Sequence, residues 1–99
     1  MLQITKNVSD SALTLALEGR LDTTTAPQLE GAVKESLDGV TSLTMDFAKL
    51  EYVSSAGLRV LLASQKQMNT QGEMVIVNAC DDIREVFDIT GFSDILTIK

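Results

Sequence analysis

Tyr52-Val53-Ser54-Ser55-Ala56-Gly57-Leu58-Arg59-Val60-Leu61-Leu62 reads as a loop that ends in two serines and passes at once into a strongly apolar helix. Small residues crowd the mouth of that helix. A helix amino terminus carries unsatisfied backbone N–H groups and a partial positive charge, so it favours an anion such as a phosphoryl group. A serine there could gain about −1.5 to −2 of charge without unfolding the helix. Serine is also among the best N-cap residues, and capping alone accounts for one of the two. Ser54, which precedes the first turn, is the better cap; Ser55 then lies nearer the free surface. Gly57 lowers helix propensity by about 1 kcal/mol relative to alanine, which points to close approach by another backbone, by a partner or by the sheet of the same chain.

Working outward, Leu2 and Ile4, then Leu13, Leu15 and Leu17, alternate with polar or small residues. That period-2 pattern predicts a hairpin of residues 2–6 and 12–18, turning at Val8-Ser9-Asp10-Ser11 and closed by Gly19. Thr25 and Gln28 have capping-box spacing, Pro27 is tolerated in a first turn, and Leu29, Ala32, Val33 and Leu37 make a helical stripe ended by Gly39. Leu43, Met45 and Phe47 predict a strand. Met74-Val75-Ile76-Val77, apolar on both faces, reads as a central strand. Ile83, Val86 and Phe87 predict a third helix stopped by Gly91, and Ile95-Leu96-Thr97-Ile98 an edge strand or a docked tail. The order β-β-α-β-α-β-α implies an α/β fold: a mixed sheet of four to five strands with helices mainly on one face and right-handed crossovers.

Ninety-nine residues at 44% hydrophobic content suit one domain over residues 1–99, with no repeat or linker. The chain has no histidine, which excludes Ser-His-Asp and Cys-His catalysis and imidazole metal sites. The expectation is a non-enzyme with no metal and no cofactor. Cys80 is the single cysteine, which fits a reducing, cytoplasmic setting. A net charge of −6 with scattered basic residues argues against nucleic-acid binding. No uncharged run approaches the roughly 18 residues of a membrane span, so neither export nor membrane insertion is expected.

Among the carboxylates, Asp22 lies in a loop before a helix, where a local cap is the ordinary role. Asp46 ends a strand and is expected to bond the following loop. Asp81 and Asp82, with Glu85, fit the capping and dipole of the third helix. Met45, Met68 and Met74 fit core filling.

Gly19-Arg20-Leu21-Asp22, Met45-Asp46-Phe47 leading to Leu50, Tyr52 through Leu58, Val77-Asn78, and Val86 with Phe87 together resemble the STAS domains, in particular the bacterial anti-sigma factor antagonists. The resemblance spans essentially the whole chain. It implies a STAS-like fold and a partner switch. The unmodified protein binds a kinase-type anti-sigma factor, which uses ATP to phosphorylate a residue at the start of the second helix; the complex then dissociates, and a phosphoserine phosphatase resets it. The family pattern is commonly Asp-Ser-Ser/Thr-Gly-Leu, with the acceptor immediately before glycine. Here that position is Ala56, which has no hydroxyl, so Ser55 is the expected acceptor and Ser54 the second choice. Asp22, Thr23, Ser54, Ser55, Ala56, Gly57 and Arg59 form the implied partner surface, with Asp22 placed to orient the serine hydroxyl or to contact the kinase.

Two further readings stay open from the same resemblance. STAS-like chains also serve as scaffold subunits of lipid-transport complexes and as regulatory parts of anion transporters, where the serines are not needed. Direct nucleotide binding by the loops around Asp22 and Ser55 is the third reading, without a P-loop.

Overall fold

The computed structural model describes residues 2–99; Met1, the first residue of the expected domain, lies outside the described residues. Strand β1 (Leu2–Ser9) pairs antiparallel with β2 (Ala12–Leu21) across the two-residue turn Asp10-Ser11, in which Asp10 adopts φ 55°. Helix α1 (Ala26–Ser36) leads to β3 (Ser42–Val53), helix α2 (Ser55–Gln71) to β4 (Glu73–Val77), and helix α3 (Asp81–Thr90) to a short 3-10 turn at Phe92–Asp94. The sheet order is β1-β2-β3-β4, with both neighbours of β3 parallel to it. The expected element order and mixed sheet are therefore observed, with four strands.

One face of the sheet makes the core. Leu13, Leu15 and Leu17, Leu43, Met45 and Phe47, and Met74 and Ile76 are all buried, while the alternate residues Thr14, Ala16, Thr44, Asp46, Val75 and Val77 are half-buried. Helices supply the other wall through Leu29, Val33, Leu58, Leu61, Met68, Ile83 and Phe87. The Phe47 and Phe87 rings meet at 6.4 Å between centroids, locking α3 onto β3.

Several boundaries differ from the sequence reading, each for a local reason. Gly19 does not close the hairpin. It sits inside β2 with φ 107°, a conformation that glycine tolerates, beside a register slip, and the strand runs on to Leu21. Strand β3 does not stop near Phe47 either. Its 12 residues pair with the ten of β2 by absorbing two extra residues at two slips, and buried positions shift from every second residue to every third: Phe47, Leu50, Val53. The supposed loop at Tyr52-Val53 is therefore strand, and Ser54 alone joins it to α2.

The Thr25–Gln28 capping box is not formed. Gln28 Nε2 donates instead to the Leu2 carbonyl at 2.9 Å, tying α1 to β1. Helix α1 ends at Ser36, three residues before Gly39. Strand β4 is the last strand of the sheet order rather than a central one. Its outer side meets the tail, where Ile76 N–H donates to Thr97 O at 2.9 Å and Lys99 N–H to Ile76 O at 2.8 Å. Val75 and Val77 are apolar because they lie half-buried on the helix-free face, not because a second layer covers them. Gly91 stops α3 as expected, in a left-handed C-cap at φ 80°.

Candidate functional site

The carboxyl ends of β2 and β3 and the amino end of α2 converge on one corner. Leu21 is the hub. Its carbonyl accepts from Ser54 N–H at 2.8 Å, fixing the residue that turns β3 into α2. Its side chain is fully buried. A Cβ on Gly57 would stand 2.7 Å from Leu21 Cγ, 2.9 Å from Cδ2 and 3.1 Å from the carbonyl oxygen. The close approach inferred from Gly57 is thus made by the protein's own second strand. Gly57→Ala is expected to destabilise the fold by up to about 2 kcal/mol. Overpacking a filled site costs about 1–3 kcal/mol, and the roughly 1 kcal/mol gain in helix propensity offsets only part of it. Urea denaturation measures the difference.

Ser54 is the N-cap. Its backbone is extended at φ −93°, ψ 174°, and its hydroxyl oxygen accepts from Gly57 N–H at 3.3 Å. Ser55, the first helical residue, is exposed. Ala56 is half-buried against the core and Leu58 is buried, so the helix turns its apolar side inward directly after Ser55. Arg59, one turn further along the same side of α2 as Ser55, is exposed. Thr23, Ala56 and Arg59 line a shallow cleft between the starts of α1 and α2, together with Pro27 and Glu30.

Asp22 serves its own loop. Its Oδ1 accepts from Thr24 Oγ1 at 2.7 Å, from Thr24 N–H at 3.0 Å and from Thr25 N–H at 3.1 Å, while Thr25 Oγ1 donates to Arg20 O at 2.8 Å. The carboxylate's hydrogen bonds go to these threonines and not to Ser54 or Ser55. The Thr24 hydroxyl foremost, with the Thr24 and Thr25 backbone N–H groups, holds it below the ordinary value of 3.8 against a partial desolvation that acts the other way. Folding therefore favours the ionised form. The resulting stability is complete above the ordinary carboxylate range and is lost as pH falls through the lowered native value. Asp22→Ala is expected to lower the thermal midpoint at pH 7, and its gap from the unmodified protein to narrow as pH falls below 3.8. Melts across that range check it.

Thr24 has no role in the sequence reading and Thr25 has only that of a capping-box residue, whereas both hold the Asp22 carboxylate; an aspartate followed by three threonines has the composition of such side-chain-closed turns. The contact between Arg20 and Tyr52 is likewise absent from the sequence reading. The two residues are register partners at the strand ends, with the Arg20 guanidinium 4.3 Å from the Tyr52 ring centroid. Asp46 does not end its strand: because β3 runs on to Val53 it lies within β3, and its carboxylate accepts from Ala48 N–H of the same strand at 2.9 Å and from Asn78 Nδ2, just after β4, at 3.1 Å. Among the described residues no helix is long and apolar enough to cross a membrane.

A mixed four-stranded sheet with a serine-capped helix rising from its third strand is the frame of a STAS domain, and the sequence matches the STAS domain family over residues 3–99. The chain belongs to that family. It is 36% identical over 99 residues to BtrV of Bordetella bronchiseptica, named as a candidate anti-sigma factor antagonist, covering 98% of this chain and 85% of that one. It is 33% identical over 84 residues to an anti-sigma-B factor antagonist of Listeria monocytogenes, covering 82% and 73%. In fold it is similar to an anti-sigma factor antagonist from Mycobacterium paratuberculosis, with a TM-score of 0.89 at 22% identity over 99% of this chain and 85% of that one.

Proposed function

We propose that this protein is an anti-sigma factor antagonist of the cytoplasm, a binding protein rather than an enzyme, whose attachment to a serine-kinase anti-sigma factor is ended by phosphorylation of Ser55. Its family and the names of its relatives support the antagonist role. The observation that carries the choice of acceptor is the division of labour at the start of α2: Ser54 caps the helix, and Ser55 stands exposed at its first position.

The docking surface comprises Thr23, Ser55, Ala56 and Arg59 around the cleft, with Asp22, Ser54 and Gly57 shaping it from behind. Small side chains at Ser55 and Ala56 let a partner come close to the helix end. The kinase transfers the γ-phosphoryl group of ATP to Ser55 Oγ, and ADP leaves. In the complex the new dianion would lose its hydration inside a packed contact; in the free protein it keeps water and sits at the positive end of α2. The modification therefore disfavours the complex much more than the fold. A phosphoserine phosphatase hydrolyses the ester and restores binding.

The test is to incubate the protein with its cognate kinase and ATP and to map the phosphate by mass spectrometry. Modification is expected on Ser55 and is expected to vanish in Ser55→Ala. Phosphate on neither Ser55 nor Ser54 would leave an antagonist or scaffold that binds without a switch.

A further inference from the structure

We infer that Arg59 is the intramolecular counter-ion of a phosphoryl group on Ser55, so that modification both adds negative charge to the docking surface and removes a free guanidinium from it. The inference rests on Ser55 as the acceptor and adds what receives the phosphate.

Residues four apart on a helix are surface neighbours, with Cβ atoms about 5–6 Å apart. Ser55 and Arg59 are both exposed and both lie in the first turns of the 17-residue α2. An acidic group one turn N-terminal to a basic one is the favourable order along a helix. A guanidinium on a three-carbon stem spans that gap and presents paired N–H donors that match phosphate oxygens.

The other charges around the corner leave this pairing to Arg59. Arg20 stacks on the Tyr52 ring at the strand ends. Asp22 is held by Thr24 and Thr25. Glu30, across the cleft, pairs with Lys34 at 3.7 Å, which is the one ion pair among the described residues; Arg59 has none. Of the two residues that neighbour Ser55 one turn along the helix, Leu58 is apolar and buried, and Arg59 alone is a cation. Arg59 thus waits without an ionic partner beside the one exposed hydroxyl of the helix start. A docked partner would find the guanidinium available in the unmodified state and neutralised in the modified one.

The test installs phosphoserine at position 55 during synthesis, without any kinase, and follows its second ionisation by 31P NMR. With Arg59 present, that ionisation is expected about half a unit or more below its value in Arg59→Gln. Arg59→Lys should recover part of the shift, since it keeps the charge and loses the paired donors. Lys66→Gln, which removes an exposed cation elsewhere on α2, should leave it unchanged. Equal ionisation in the unmodified-Arg59 and Arg59→Gln proteins overturns the inference, as does an equal effect of Lys66→Gln, which would reduce it to the general field of the protein. Because the phosphate is built in, a clear Arg59 dependence would stand even if no kinase ever modified Ser55, and a kinase that does modify Ser55 would not rescue the pairing if the dependence were missing.

Discussion

Replacing Gly72 with alanine is expected to destabilise the domain by about 3 kcal/mol or more, a large share of the roughly 5–15 kcal/mol that holds a small domain together. Helix α2 runs into β4 through this single residue. Its N–H donates to Met68 O at 2.6 Å, closing the helix, and the next N–H, from Glu73, donates to Thr41 O at 3.0 Å, opening the strand. A Cβ on Gly72 would fall on that same Thr41 carbonyl oxygen, with the carbonyl carbon at 2.6 Å and Cα at 2.8 Å. Backbone cannot swing aside as a side-chain tip can. Thr41 is pinned from the other side by its own N–H donating to Ser11 O at 2.9 Å, and Gln71 Nε2 holds the preceding turn through Leu37 O at 2.7 Å. Relief of the collision must therefore break the Glu73–Thr41 bond or pull β3 from the hairpin turn. Gly31 provides the contrast, since it lies within α1 with nothing within 4 Å of its missing Cβ. Gly31→Ala should stabilise by up to about 1 kcal/mol through helix propensity. Denaturant unfolding of the two variants should move in opposite directions; a Gly72→Ala protein as stable as its parent would refute the steric account.

The contrast also shows what could be read from the sequence. Elements whose side chains keep one period were legible: the alternating leucines of β2, the stripe of α1, and the Ile83 and Phe87 face of α3. Strand β3 was legible only to Phe47, because its two extra residues shift the buried positions from every second to every third, and no local rule announces Leu50 and Val53 as inward. The apolar run in β4 was ambiguous for a different reason. A half-covered face at the end of a sheet and a fully covered one in its middle both favour valine and isoleucine. At the site, the cap at Ser54 and the tight packing at Gly57 were visible as residue types, whereas their common dependence on Leu21 was not. Two segments more than 30 residues apart in sequence meet there, and only the fold brings them together. Gly72 carried no signal beyond being a glycine after a helix, since its constraint comes from Thr41, on the approach to another strand.

Ser55→Asp should lower affinity for the anti-sigma partner on the order of 100-fold while leaving the domain as stable as before or slightly more so. The two effects have opposite signs because they arise in different surroundings. In the free protein the carboxylate stays hydrated at the exposed first position of α2, where the helix dipole contributes about 0.3–1 kcal/mol in its favour. Across a docked interface the same charge is desolvated against groups selected to meet a neutral hydroxyl, and such a mismatch costs several kcal/mol. Aspartate carries less charge than a phosphoryl group, so the loss should be smaller than that caused by phosphorylation itself. Ser55→Ala should bind as the parent does and should not be released when ATP is added to the complex. Titration calorimetry of the three proteins against the partner, beside thermal melts of each alone, separates the two contributions. An aspartate variant that unfolds early would make the weaker binding a consequence of lost structure. One that is stable and binds with undiminished affinity would place the docking surface away from the start of α2, and with it the reason for a hydroxyl to stand exposed at residue 55.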